Sequence, residues 1–189
     1  MKKTLFSGLK IGIGLLAMIL VAFSPATLSG IAFAQQLSGQ DSKTNYTKIG
    51  YALMKENMGF LSIGIPDSVV VKNLGEPEKK STARIWGADG MEHQSWHYQR
   101  QGIELDMILK GSTQIVDRIS IKSPCDYKTQ RGIQIGSNEL EVQTAYKAEI
   151  NPHDSKPDST LVAGTIYGGI IFGLREGIVT SIFIGAAAE

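Results

Sequence analysis

The sequence predicts an α+β protein of two repeated units, each a short strand, a helix and a three-stranded antiparallel meander. The units are expected to form one continuous sheet with the helices on one face. Two observations predict this class. The motif Gly-Phe-Leu-Ser-Ile-Gly at 59–64 returns as Gly-Ile-Gln-Ile-Gly at 132–136, and each copy precedes a helix-like stretch and then three stretches typical of half-buried strands. A unit of about 65 residues has little core of its own, which favours a shared sheet.

Residues 1–34 have the three-part plan of a secretory signal peptide. A basic end with three lysines and no acid precedes an uncharged apolar run at 11–23, and small residues precede a cleavage point after Ala34. The run is shorter than the roughly 20 residues of a spanning helix and is followed by Pro25, although an uncleaved anchor is the alternative. We therefore expect a periplasmic or secreted protein of residues 35–189, with no stable membrane span after cleavage.

The charge balance argues against nucleic-acid binding, and the cysteine content excludes a disulfide within the chain. The chain has 189 residues, 19 of them basic and 18 acidic, and loss of the leader leaves 16 basic and 18 acidic residues, a net charge of −2. This balance lacks the basic footprint of a nucleic-acid-binding protein. The single cysteine, Cys125, has no partner for a disulfide within the chain, so we expect a small buried side chain, with pairing between chains as the alternative.

The first unit is predicted over residues 46–125. It follows a polar stretch at 35–45 that predicts a flexible tether. Apolar residues at helical spacing predict a helix over 46–58, and Gly64, Pro66 and Asp67 precede a second short helix. Three strands complete the unit, at 95–99, 103–110 and 115–122. In the last strand, alternation places three residues on one face: Ile115, Ile119 and Ile121.

The second unit is predicted over residues 126–189 in the same order. Ser137 or Asn138 can cap its helix, which has acidic residues in its first turn. Its three strands are expected at 161–167, 170–174 and 178–184, the last with Ile178, Ile182 and Ile184 on one face. We expect the two units to share a core that contains Ile103, Leu105, Ile119, Phe172, Ile182 and Ile184.

The two segments GFLSIGIPDSVVVKNLGEP and GIQIGSNELEVQTAYKAE, each followed by a meander, carry a family resemblance. This pattern is similar to the helix-then-sheet unit of the SmpA/OmlA small outer-membrane lipoproteins and to its tandem form in the β-lactamase inhibitory proteins. The resemblance implies protein–protein binding without cofactor or catalysis. Two features depart from those families: the chain lacks the lipobox cysteine of the lipoproteins and the paired cysteines of the inhibitors.

A polar cluster in the first unit offers an alternative function. Asp89, Glu92, His93 and His97 lie within nine residues, and a small hydrolase or metal-binding protein could be centred on Glu92, His93 and His97. On a strand, however, four residues span about 13 Å, too far for His93 and His97 to share a metal. We therefore interpret the histidines as surface polar groups, and predict no catalytic residue, metal or cofactor.

Aromatic side chains favour a non-catalytic protein-binding module, with a protein as the partner. Tyrosine and tryptophan are enriched at interfaces, because they combine a rigid apolar ring with a polar tip. The candidate binding residues are Trp86, Trp96, His97, Tyr98, Tyr167 and Phe183. In the second unit, Tyr167, Ile171, Val179 and Phe183 are expected on the exposed sheet face. The alternative is that Trp96 and Tyr98 share the buried side of their strand. Glu104 and Asp106 are interpreted as the solvent face of the next strand.

Overall fold

The computed structural model describes residues 45–87 and 89–188. The predicted signal peptide at 1–34, and all of the predicted tether except residue 45, lie outside the described residues. Residue 45 is helical, which corrects the tether prediction at its last residue.

The described residues form three α-helices and eight β-strands. Helix α1 is described over residues 45–53, and the two other helices are α2 (Asp67–Leu74) and α3 (Glu139–Ala145). The strands of the first half are β1 (Lys79–Lys80), β2 (Arg84–Ile85), β3 (Glu92–Tyr98), β4 (Ile103–Lys110) and β5 (Thr113–Lys122). Those of the second half are β6 (Thr160–Thr165), β7 (Gly168–Arg175) and β8 (Ile178–Gly185).

All eight strands belong to one antiparallel sheet. Its order is β1-β3-β4-β5-β8-β7-β6, and β2 also pairs with β3 beside β1. The two meanders therefore meet through β5 and β8, which pair over Ile119–Lys122 and Ser181–Ile184. This arrangement confirms the predicted α+β class and the single continuous sheet.

One face of the sheet and all three helices contribute to a single hydrophobic core. The helices contribute Leu53 from α1, Val70 from α2 and Val142 from α3. All six residues predicted for the shared core belong to the same cluster and are at most 4% exposed. Because side chains alternate along a strand, the residues between them point to the opposite face, which we call the outer face.

A β-bulge in β5 corrects the predicted alternation of the first half. Asp106 pairs with Arg118 and Met107 pairs with Val116, so Asp117 is an extra residue in β5. The extra residue shifts the alternation by one position. As a result Val116 is fully buried in the core, whereas Ile115, which was expected there, is only partly buried.

A second bulge corrects the last strand in the same way. Gly173 pairs with Ser181 and Leu174 with Val179, which leaves Thr180 as the extra residue in β8. Val179 is therefore fully buried and Ile178 is 41% exposed. The sequence-based expectation had placed Ile178 in the core and Val179 on the exposed face, so both assignments were wrong.

The two glycine motifs form turns, which corrects the short opening strands predicted for each unit. Residues 59–64 form turns with one isolated bridge at Leu61, and residues 132–136 form bends, turns and irregular backbone. The last glycine of each motif donates its backbone N–H to the buried valine at the bulge: Gly64 to the Val116 carbonyl at 2.7 Å, and Gly136 to the Val179 carbonyl at 2.8 Å. Each motif therefore anchors the start of the following helix to the sheet.

The helix predicted over 46–58 is shorter than expected. It ends at residue 53, and the Met58 N–H bonds to the Leu61 carbonyl at 2.8 Å instead of continuing the helix. Helix α3 has the sharper boundary, because Asn138 and Glu141 form a capping box: each side chain accepts a hydrogen bond from the backbone N–H of the other.

Candidate functional site

One row of side chains crosses five neighbouring strands on the outer face. The cross-strand register aligns, from β3 to β7, His97, Glu104, Ser120, Phe183 and Ile171, which we call the outer row. With strands about 4.8 Å apart, the row is about 19 Å long. Its β3–β5 half is polar and its β8–β7 half is apolar, so it presents both kinds of contact on one surface.

A small cavity lies at the polar end of the outer row. It has a volume of about 130 Å³ and is lined in part by His97, Glu104, Ser120 and Lys122. The Glu104 carboxylate lies 3.3 Å from Nδ1 of His97, and both side chains are partly exposed. The cavity is smaller than the roughly 300 Å³ at which small-molecule sites begin, and is closer to the size of one amino-acid side chain.

The apolar end of the outer row is shaped by a glycine. Phe183 and Ile171 are half-buried. A Cβ atom at Gly185 would lie 3.3 Å from the Phe183 ring and 3.0 Å from the Arg118 side chain. The φ angle of Gly185 is 145°, a backbone conformation that residues other than glycine rarely adopt. Gly185 therefore lets the Phe183 ring and the Arg118 stem lie close to the sheet.

Two of the predicted binding residues are core residues, which corrects their assignment to the binding surface. Trp96 is 2% exposed and Tyr98 is fully buried. The indole N–H of Trp96 donates to Oε1 of Gln94 at 2.9 Å, and the Tyr98 hydroxyl donates to the Gly75 carbonyl at 3.1 Å. Burial raises the pKa of Tyr98 to about 12. Neither ring can contact a partner without unfolding of the sheet.

The remaining candidates lie in three places. His97 and Phe183 belong to the outer row. Trp86 is partly exposed and lies in the loop between β2 and β3, over the outer face. Tyr167 is 52% exposed and lies in the turn between β6 and β7, outside the outer row. The structure thus brings together two of the six predicted residues and places a third beside them.

The described residues also form a buried ionic cluster that the sequence did not predict. The His93 side chain is inaccessible to solvent and contacts two carboxylates: Oδ2 of Asp106 lies 2.7 Å from Nδ1, and Oδ2 of Asp89 lies 2.9 Å from Nε2. Asp106 extends from β4 on the outer face, whereas Asp89 belongs to the loop before β3. His93 therefore links this loop to the sheet.

Trp86 completes the cluster through ring contacts. Its ring is stacked on the His93 ring with centroids 3.9 Å apart and planes 9° apart, and the guanidinium carbon of Arg118 lies 4.2 Å from the same indole. Stacking on aromatic rings stabilises cations. We call the assembly of His93, Asp89, Asp106 and Trp86 the His93 clamp, because it attaches the loop to β3, β4 and β5.

The ionisation of the clamp follows from its contacts. Burial lowers the pKa of His93, but the hydrogen bonds to Asp106 and Asp89 outweigh it and raise the pKa above its ordinary value of 6.5. The N–H of Met91, and then His93, lower the pKa of Asp89. Burial raises the pKa of Asp106, and the hydrogen bond from His93 offsets only part of that rise.

The clamp can be compared with a metal site and with a catalytic base. His93, Asp106 and Asp117 each place one ligand atom within 4.8 Å of the others. However, the Arg118 Nε lies 3.3 Å from Asp117 and 3.8 Å from Asp106, so a cationic side chain already neutralises these carboxylates. Both ring nitrogens of His93 are occupied by carboxylates, which leaves neither as a base for a hydroxyl or water.

The geometry also separates the residues of the alternative function. His93 and His97 lie on the same face of β3, four positions apart, and pair with different partners on β4, Ile108 and Glu104. Glu92 is exposed and, as the neighbour of His93 in the strand, points to the other face. The structure does not bring these three side chains together.

The main signal that the sequence analysis missed is Asp106. It had been interpreted as a solvent-facing residue because it alternates with Leu105, but it is 9% exposed and accepts a hydrogen bond from His93. His93 was likewise expected at the surface and is 2% exposed. The polar cluster of Asp89, Glu92, His93 and His97 was a local sign for the loop side of the clamp, but nothing in it indicated Asp106 on the next strand. Cys125, at 7% exposure, is buried as predicted, and burial raises the pKa of its thiol.

The fold and the outer face define a class of protein: an α+β protein with one antiparallel sheet, whose inner face packs on helices and whose outer face carries mixed polar and apolar contacts. No family model matches the chain, and searches of curated proteins and of solved structures also find no match. Among the described helices, none has both the length and the apolar character needed to cross a membrane.

Proposed function

We propose that this chain is an exported, non-catalytic protein-binding module that holds a protein partner on its outer face. The observation that carries the proposal is the outer row with its side-chain-sized cavity. A row of mixed polar and apolar side chains about 19 Å long suits a protein partner. A cavity of about 130 Å³ suits one anchoring side chain of such a partner.

The covered sheet edges support binding through the face. On one side β1 and β2 both pair with β3, and Lys79 and Lys80 form the outermost strand. On the other side the Asn151 N–H bonds to the Val162 carbonyl of β6 at 2.8 Å. The Asn151 contact occupies a β6 group that strand addition would use, and at the other edge β1 and β2 are each only two residues long, with two lysines in β1, which disfavours strand addition.

The two ends of the outer row indicate the chemistry of the partner. Phe183 and Ile171 offer an apolar surface, whereas Glu104, His97 and Lys122 offer an acceptor and donors around the cavity. We infer a partner surface that places an apolar side chain over Phe183 and inserts a polar side chain beside Ser120. Trp86 lies at the border of this surface and would belong to its rim.

We also propose that the module is a tandem repeat of two related units. Each unit would resemble the helix-then-sheet unit of the SmpA/OmlA lipoproteins, and the pair would resemble the tandem form in the β-lactamase inhibitory proteins. Support comes from equivalent details in the two halves: a bulge in the last strand of each meander, a buried valine at each bulge, and a glycine N–H bonded to each valine carbonyl. A shared origin of the halves would account for this agreement.

Export predicts one mass for the protein outside the cytoplasm. Because cleavage after Ala34 gives Gln35 as the first residue, we expect the exported chain to have the intact mass of residues 35–189. Mass spectrometry of the envelope and secreted fractions measures it. A membrane-bound species that retains residues 1–34 would contradict the proposal.

Binding through the outer face is tested by site-specific photocrosslinking in native cells. A photoreactive phenylalanine analogue replaces Phe183 or His97, and Leu140, which is 70% exposed on α3, serves as the control position. We expect one adduct of the same mass from positions 183 and 97 and none from 140. Substitution of Ser120 by arginine, which fills the cavity, should abolish the adduct.

The partner identified in the adduct is then purified and titrated. We expect Phe183→Ala to weaken its affinity by at least tenfold, since central interface aromatics carry much of the binding free energy, while Leu140→Ala leaves it unchanged. Equal adducts at all three positions, or equal affinity for both variants, would show that the outer face is not the binding surface. Stoichiometric zinc that His93→Ala removes would instead favour the metal-binding alternative.

A further inference from the structure

We propose that proton binding to His93 controls the position of Trp86 and of loop residues 89–91, so that Trp86 is held on the outer face while His93 is protonated and Asp89 is ionised, and is released as the pH rises. The geometry of the His93 clamp carries this inference. One side chain bridges the loop and the sheet with two hydrogen bonds, and both acceptors are carboxylates that cannot donate a proton to it when ionised. Any effect of this motion on partner affinity rests on the proposed function.

The number of ring protons determines how many contacts His93 can make. The imidazolium ion donates from both nitrogens, to Asp106 and to Asp89 at once, whereas neutral imidazole donates from only one. Loss of one proton therefore leaves a nitrogen lone pair facing a carboxylate oxygen, and that contact becomes repulsive. One of the two links must break.

Exposure decides which link breaks. Water cannot reach Asp106 readily, because its side chain is 10% exposed, whereas the Asp89 side chain is 40% exposed and can be hydrated after it separates. The remaining proton therefore stays on Nδ1, bonded to Asp106. The lost bond is the one to Asp89, so the loop is released while the sheet keeps its contact.

The charges around the ring favour the protonated state. Three carboxylates lie near it: Asp89 from the loop, Asp106 from β4 and Asp117 from β5. Two cations face the same region, Arg118 from β5 and Arg84, the cross-strand neighbour of His93 on β2. The imidazolium ion balances the third negative charge, and its loss leaves an excess of negative charge under the loop.

The direction of the pH effect follows from the two titrating partners. The raised pKa of His93 means that its contribution to loop stability is complete below 6.5 and is lost as the pH rises through the higher folded value. The lowered pKa of Asp89 means that its contribution is present above 3.8 and is lost as the pH falls through the lower folded value. The loop is therefore held between these limits and is released as the pH rises above the folded pKa of His93.

Nuclear magnetic resonance of the labelled exported protein tests the inference. The His93 ring signals give its titration, and amide exchange at Gly90 and Met91, corrected for intrinsic rates, reports loop opening. The N–H of Gly90 bonds to the Trp86 carbonyl at 2.9 Å and that of Met91 to Oδ1 of Asp89 at 2.9 Å. Each bond therefore ends on a loop residue whose side chain contacts His93, and we expect it to weaken when that contact is lost. We expect exchange protection to fall by on the order of tenfold, with the titration of His93 at a midpoint above 6.5.

Two variants separate proton control from simple structural support. Asp89→Asn keeps the shape of the side chain. Its amide oxygen can keep the bond from the Met91 N–H while its NH2 group donates to neutral His93, so we expect loop protection that does not fall as the pH rises, and a lower His93 midpoint. His93→Gln should also remove the pH dependence. His153→Gln, at an exposed histidine in another loop, is the control and should leave the response unchanged.

The outcomes distinguish the inference from the proposed function. A midpoint for His93 at or below 6.5, or loop protection that is constant through its titration, would overturn the inference whatever the partner does. If the loop responds as expected but position 183 forms no adduct at any pH, the clamp stands and the proposed function fails. If the loop responds and the adduct yield at position 183 changes with it, both are supported.

Discussion

Replacement of Phe172 by alanine is expected to lower the free energy of unfolding by about 3–5 kcal/mol, because the large cavity it leaves cannot be filled. Phe172 is fully buried in β7, its ring centroid lies 5.1 Å from that of Tyr146, and it pairs with Leu161 on one side and Ile182 on the other. Urea unfolding followed by circular dichroism measures the change. The loss would be a large fraction of a typical domain stability of about 5–15 kcal/mol.

The same variant tests whether the sheet unfolds as one unit. Since β5 and β8 pair directly and the core cluster contains residues of both halves, Phe172→Ala should shift a single transition in which both halves unfold together. Tyr167→Ala, at a half-exposed aromatic residue in the preceding turn, is the control and should change stability little. Separate melting of residues 126–189 would contradict a shared core.

Replacement of Arg131 by methionine is expected to cost about 1–3 kcal/mol, because the buried carboxylate of Glu56 loses its cationic partner, which is itself only partly buried. Glu56, just after α1, is 8% exposed and lies 3.0 Å from the Arg131 Nε, while its second oxygen accepts from the Tyr146 hydroxyl at 2.8 Å. Arg131 also donates to the Ala145 carbonyl at 2.9 Å. The substitution therefore disrupts a buried link between the first and second halves.

A double-substitution cycle separates the stability contributed by the Glu56–Arg131 ion pair from the packing lost with the methylene groups of Arg131. Glu56→Gln combined with Arg131→Met should recover part of the stability, since a neutral amide can still accept from Tyr146 without an unpaired charge. Arg100→Met is the matched control. Arg100 pairs with Glu78, but its side chain is 88% exposed, so we expect the free energy of unfolding to change by only about 0–1 kcal/mol. A cost for Arg131→Met no larger than this would show that the buried pair contributes little.

Local patterns in the sequence predicted most of the fold. Alternation placed β4 at its observed limits, 103–110, and located the five other long strands within a few residues of their ends. Helices α2 and α3 follow the two glycine motifs as expected, and Asn138 caps α3. These features depend on neighbouring residues, so a single sequence is enough to predict them.

The bulges show where alternation failed. A period of two assigns Ile115 and Ile178 to the core, and each is the larger apolar residue of its pair, so nothing local argued against that assignment. One extra residue in each strand reversed it in favour of Val116 and Val179. The extra residues are fixed by contacts with the partner strands, which the sequence of one strand does not contain.

The candidate site was predicted in part for the same reason. Phe183 was found because alternation places it on the exposed face, whereas His97, Trp96 and Tyr98 were included on residue type, and of these Trp96 and Tyr98 are buried. The His93 clamp was missed, since Trp86, Asp89 and Asp106 reach the ring from a loop and from a neighbouring strand. Three separate segments had to be placed in space before the cluster existed.

The sequence by itself determined the α+β class, the six long strands, the approximate positions of the helices and six apolar residues of the common core, because hydrophobic periodicity and turn residues act over short distances. Only the tertiary structure decided that β5 joins β8, that each meander has a bulge, and that His93 is enclosed by two carboxylates. These features arise from pairing and burial between residues that are distant in the chain. Their energies depend on neighbours that the linear sequence does not specify.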